Sequence, residues 1–235
     1  MVLMKRLQAK PLLVILWVLS ASLLAGGTWS DRVQQSMDSI HMQEPDRQQV
    51  KHIFSLAEAE QLPLAPLELK LNEGVAKRVD TSLLIDALHQ QMDMYAKVRS
   101  LLQAAFGMQE AEAILGIRTV WDRTVLLHQQ GVGEDDLVTL LMNFRQQGSE
   151  DRWNNFRYGG GLLLALRQWG LSEEDSLSVV VALSRSRMAG GDYPRVLDLL
   201  NNAILQRISL EDMVKRIIES APKSRSFTVL ERMVR

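Results

Sequence analysis

Apolar residues recur at three- and four-residue spacings along most of the chain. Leu83, Leu84, Ala87, Leu88, Met92, Tyr95, Val98 and Leu102 follow the i, i+3, i+4 rhythm that lines one face of a helix. The pattern predicts helices over about 46–60, 64–77, 81–105, 109–130, 134–147, 151–169, 173–188, 194–207 and 210–220. No segment alternates as a strand. The expected fold is all-α, with eight or nine helices in a domain over 46–220. Residues 28–45, ended by Pro45, read as a flexible or amphipathic lead, and 221–235, broken by Pro222, as a loosely packed tail.

Between the predicted helices one kind of turn recurs five times, centred on Leu62, Val79, Val132, Leu171 and Ile208. The next residues are Pro63, Asp80, Gly133, Ser172 and Ser209, and all but the proline suit a helix N-cap. Asp136, Asp175 and Asp212 follow three positions later, where a carboxylate reaches back to the cap or faces the positive end of the helix dipole. One step further stand Leu67, Leu84, Leu137, Ser176 and Met213, four of them apolar. This is the N′-to-N4 staple that fixes the angle at which the chain turns into a helix. Gly131 and Gly170 precede two of the central residues and read as left-handed helix ends. Each turn is therefore expected to pin two helices at a two-to-three-residue joint, packing them as αα-hairpins. The last three caps, at 133, 172 and 209, are separated by 39 and 37 residues. That cadence fits either an irregular bundle or a short solenoid-like array. The tetratricopeptide and HEAT-type consensus positions are not filled.

The first 27 residues are a unit of their own. Lys5, Arg6 and Lys10 precede an apolar stretch from Pro11 to Ala25 that closes on Gly26-Gly27, the order of a secretory signal peptide. Cleavage after Gly27 or after Ser30 fits the small-residue rule. An uncleaved anchor is the alternative, though the apolar stretch is shorter than the roughly 20 residues of a spanning helix. Either way the bulk of the chain is expected outside the cytoplasm, periplasmic or secreted. Lys and Arg number 27 against 28 Asp and Glu, without a basic stripe, so nucleic acid is not an expected partner. Loss of residues 1–27 leaves 24 basic against 28 acidic residues. With no cysteine, no disulfide and no lipidated cysteine contributes, and stability rests on packing.

The search for reactive groups yields little. His41, His52, His89 and His128 form no HExxH or i, i+4 pair, and no G-x-S-x-G is present. Glu134-Asp135-Asp136 and Glu173-Glu174-Asp175 read as first-turn acids at helix starts. No catalytic residue, metal or cofactor is expected. Gly159-Gly160-Gly161 is the odd local feature, since three glycines cost a helix roughly 2 to 3 kcal/mol relative to alanine. They follow Trp153, Phe156, Arg157 and Tyr158, with Arg152 nearby. One reading makes those side chains a partner-binding surface. The other makes the glycines a close helix contact, which is the more economical because no phosphate-loop lysine follows.

Leu62, Pro63, Pro66, Leu67, Lys70, Glu73, Gly74, Ala76, Lys77 and Val79 carry a pattern LPxxPLxxKxxEGxAKxV. It resembles a motif of uncharacterised exported bacterial proteins, which usually have glycine where this chain has Gln61. The resemblance covers about thirty residues and implies a helical, envelope-located protein without transferring an activity. Lys70, Glu73 and Lys77 read as i, i+3 and i, i+4 pairing on a solvated helix. Together these features point to an exported helical scaffold or adaptor that binds an envelope protein or cell-wall component. A cell-wall enzyme whose acids or histidines converge only in the fold, or a membrane-anchored assembly factor, are the alternatives.

Overall fold

A computed structural model describes residues 28–115, 117–147 and 151–234 of the chain. Among them every regular element is helical: α1 (Trp29–Ser39), α2 (Glu44–Ala59), α3 (Leu64–Ala76), α4 (Thr81–Phe106), α5 (Met108–Leu115), α6 (Arg118–Gln129), α7 (Glu134–Gln146), α8 (Arg152–Gln168), α9 (Glu173–Ser184), α10 (Val196–Leu205), α11 (Leu210–Ser220) and α12 (Phe227–Val234). Two 3-10 turns, Gly190–Arg195 and Ala221–Lys223, complete the set. The signal segment over 1–27 and residues 148–150, between the helices expected at 134–147 and 151–169, lie outside the described residues.

Among the described residues twelve helices replace the expected eight or nine, for three local reasons. The expected flexible lead holds α1, whose Val33 and Met37 are buried on one face and whose Trp29 ring stacks on Phe54 at 5.6 Å. The run over 109–130 divides into α5 and α6 at Ile117, whose φ of −101° and ψ of 86° are not helical. The expected loose tail forms α12, where Phe227, Leu230 and Val234 recur at helical spacing and are buried. The predicted 173–188 helix also stops at Ser184, and the next begins only after the first 3-10 turn.

The five joints share one geometry, and a sixth has it too. Their central residues Leu62, Val79, Val132, Leu171 and Ile208, with Met42 as the sixth, donate N–H to carbonyls five residues back, at 2.8 to 3.2 Å. The residue before each donates to a carbonyl three back, the paired bonds of a Schellman end. That preceding residue has positive φ in every case: His41 (53°), Gln61 (55°), Arg78 (53°), Gly131 (81°), Gly170 (89°) and Arg207 (60°). Leu62 and Val132 are buried as expected, and so is Met42, whereas Val79, Leu171 and Ile208 are only half-buried and close their joints from the rim. The Ser172 hydroxyl accepts from Asp175 N–H at 3.0 Å and that of Ser209 from Asp212 N–H at 3.5 Å. Asp80 accepts from Ser82 N–H at 2.9 Å. The N4 residues Leu67, Leu84, Leu137, Ser176 and Met213 are all buried.

The chain divides into two compact units between Met92 and Asp93, inside α4. In the first, α1 packs on α2 and α3 around Val50, Ile53, Phe54 and Leu71. Gly74 is buried because its backbone abuts the Leu84 side chain, leaving no room for a β-carbon. Lys77 pairs with Glu73 at 2.5 Å. In the second unit α8 is central, packing against α6, α7, α9 and the first 3-10 turn, while α11 packs on α9, α10 and α12. No helix among the described residues is long and apolar enough to cross a membrane.

Candidate functional site

Helix α8 runs unbroken through its three glycines, and this continuity sets which way each neighbouring side chain faces. Trp153 and Phe156, which one of the two readings put at a partner surface, are in the core, 7% and 0% exposed. Trp153 meets Phe106 edge-on at 5.9 Å, and Phe156 meets Phe144 edge-on at 5.8 Å. Their positions, 153 and 156, continue through Gly160 and Leu163 in the i, i+3, i+7 row that faces inward. Arg157 and Tyr158 do reach the surface, exposed and half-buried respectively, with the guanidinium 5.0 Å from the ring centroid.

The glycines differ in what they admit. A β-carbon on Gly159 would lie 2.5 Å from Phe144 Cζ and 3.1 Å from Val180 Cγ1. On Gly160 it would lie 3.0 Å from both Arg123 Cδ and Leu127 Cδ1. On Gly161 its nearest neighbour would be Arg123 Nη1, at 4.0 Å. The first two glycines therefore permit close approach of α7, α9 and α6, the packing reading of the sequence. Gly161 has no such reason.

Beside Gly161 lies an open depression of about 330 Å³ lined by Arg123, Arg157, Tyr158, Leu162, Ala165, Pro194 and Leu197. Its floor is apolar and its charged groups are both guanidiniums. Burial, together with the nearby charge of Arg157, lowers the Arg123 pKa. Sequence reasoning missed Arg123, although a signal existed: Val120, Arg123 and Leu127 fall at i, i+3 and i+7, placing a cation at the edge of an apolar row.

A second, more polar cleft of about 510 Å³ lies at the other end of α8, lined by Gln147, Asp151, Asn155, Ser186, Arg187, Met188 and Ala189. Its inner wall is a closed chain of hydrogen bonds. Asn155 Oδ1 accepts from Gly190 N–H at 2.8 Å, and Asn155 Nδ2 donates to Gln147 Oε1 at 2.9 Å. Gln147 Nε2 donates to Tyr193 Oη at 3.1 Å, and that hydroxyl donates to Leu183 O at 3.2 Å. Burial raises the Tyr193 pKa. Gly190 belongs to this arrangement, since a β-carbon there would lie 2.7 Å from Asn155 Cα. The Ser186 hydroxyl donates to Leu183 O at 2.6 Å and accepts from Met188 N–H at 3.2 Å. Among the described residues its lining carries one carboxylate, Asp151. Its groups tie the 184–190 bend to α8.

The joint residues sit apart from both cavities and hold the helices. No group of three or more His, Asp or Glu side chains among the described residues is placed to bind a metal ion, and the buried polar residues include no carboxylate. No protein-family profile, curated protein or solved structure matches this chain.

Proposed function

We propose that the chain is an exported, non-catalytic helical adaptor of the bacterial envelope. It binds another macromolecule, an envelope protein or cell-wall component, through the face of α8 that carries Arg157 and Tyr158. The observation that carries this reading is the apolar depression beside Tyr158, an open concavity with convergent charged groups and no carboxylate on its lining. The recurrent joints supply a scaffold of αα-hairpins in which α8 is held on several sides. A photo-crosslinking amino acid at position 158, in cells, tests it. A discrete adduct is expected there and not from the same residue at Leu205, exposed on α10. Equal labelling at both positions, or none at 158, would reject the assignment.

The start of α1 bears on export. Thr28 caps this helix reciprocally with Asp31: Asp31 N–H donates to the Thr28 hydroxyl at 3.4 Å, and Thr28 N–H donates to the Asp31 carboxylate at 3.0 Å. The Trp29 indole N–H donates to Glu58 at 2.8 Å. Cleavage after Gly27 would keep all of these, whereas cleavage after Ser30 would remove the cap and the tryptophan. Mass spectrometry of the protein from the periplasm or medium should therefore show a chain beginning at Thr28. A chain retained with its first 27 residues would favour the anchored alternative.

A further inference from the structure

Arg123 and Arg157 line the same depression, where burial and then the charge of Arg157 lower the Arg123 pKa, yet among the described residues neither has an ion-pair partner, and no acid lines the depression. The stem of Arg123 rests on Gly160, which brings its Nη1 over Gly161. Arg157 is one helical turn before Gly161 on the same face of α8. Gly161 weakens the middle of a helix without admitting any neighbour, and its missing side chain keeps open the depression that both arginines line.

From this geometry we infer that the depression binds an apolar group ending in a carboxylate, of the kind presented by the C-terminal residue of a peptide chain. The forks of Arg123 and Arg157 match the two carboxylate oxygens, while Leu162, Ala165, Pro194 and Leu197 cover the apolar body. A phosphate fits less well. No lysine or aliphatic hydroxyl lines the space, and the apolar floor offers nothing to its further oxygens. The inference rests on the reading that this face of α8 is the contact surface, and it assigns the chemistry of what is held there.

The test is fluorescence anisotropy with the purified full chain and fluorescein-labelled Ala-Ala-Ala-Leu, as the free acid and as the C-terminal amide. The acid is expected to bind about tenfold or more tightly than the amide. Arg123→Gln and Arg157→Gln should each remove most of that difference while leaving the helical circular dichroism and the melting temperature near those of the parent. Gly161→Leu, which meets no packed neighbour, should abolish binding of both peptides without unfolding. N-acetyl-leucine as competitor separates the two sources of such a group. Displacement at equal concentration identifies a free small acid as the ligand, and weaker displacement identifies a chain end; either supports the carboxylate assignment. Equal affinity for acid and amide, unchanged binding in both arginine variants, no binding of the acid at all, or inorganic phosphate displacing the peptide better than N-acetyl-leucine would overturn it. A specific crosslink at position 158 alongside any of those four results would remove the carboxylate assignment and leave the contact surface standing. If the crosslink is absent as well, both fall.

Discussion

Gly159, Gly160 and Gly161 occupy consecutive positions of one helix and meet three different surroundings. At Gly159 the obstacle to a methyl group is a phenylalanine ring fixed among other aromatics, which has little freedom to yield. Gly159→Ala is expected to cost about 2 kcal/mol by overpacking. In a Phe144→Leu background the same substitution should cost measurably less, a coupling that denaturant melts of the four proteins would read. Gly161→Ala meets only space and should raise stability by about 0.5 to 1 kcal/mol through helix propensity. If the two alanines behave alike, the glycines are not distinguished by their neighbours and the account of α8 is wrong. These residues also show where the sequence falls short. Trp153, Phe156 and Leu163 lie on one inward row, but glycines contribute no hydrophobic signal between them, so the phase of the helix was not readable across the gap. Arg157 is exposed and Tyr158 half-buried. Arg123 was passed over because its counterpart is 34 positions along the chain, and only the fold brings the two together.

At the scale of elements, the joints were the most legible part of the molecule because their chemistry is local. Glycine at a left-handed helix end, or serine or aspartate at the next start, declares itself without knowledge of the fold. The joint at His41-Met42-Gln43 escaped notice for the complementary reason. Histidine marks a left-handed bend far more weakly than glycine, and Gln43 makes no side-chain cap, so geometry is present where propensity says little. Gly131→Ala and Gly170→Ala isolate the backbone contribution, since a β-carbon at either position meets nothing within 4 Å. Each should destabilise by about 1 kcal/mol. Ser172→Ala should cost about 1 kcal/mol by freeing Asp175 N–H, with Ser172→Asn recovering most of it. Thermal melts of these variants would check both statements. The helices α1 and α12 were underread because each is short and its apolar row has few members, Val33 and Met37 in one, Phe227, Leu230 and Val234 in the other.

At the scale of the whole molecule, titration provides a test of the buried hydrogen-bond chain. The Tyr193 hydroxyl resists ionisation because it is buried, so above pH about 10 the unfolded chain loses a proton that the folded chain keeps. Its contribution is full below that pH and disappears as pH rises towards the folded value. Tyr193→Phe should therefore flatten the alkaline decline of the melting temperature. It should also lower the neutral plateau by about 1 kcal/mol, because Gln147 Nε2 loses its acceptor and the Leu183 carbonyl, which keeps the Ser186 hydroxyl, loses one donor. The acid limb has the opposite sign. Hydrogen bonds from Arg47, Lys77, Ser82 and Lys97 hold the carboxyls of Asp38, Glu73, Asp80 and Glu134 below their usual range. Their contribution is present above pH about 4 and is lost as pH falls through the folded values. These groups are at the surface, so added salt should shrink that limb while leaving the alkaline one.

His41, Gln61, Arg78 and Arg207 hold the left-handed conformation that Gly131 and Gly170 adopt without strain. All four are exposed, so their side chains are not what keeps them there. The chain thus holds an unused reserve of heat tolerance at its own bends. Installing glycine at these four points would draw on it, hardening the molecule against temperature while leaving the surface of α8 untouched.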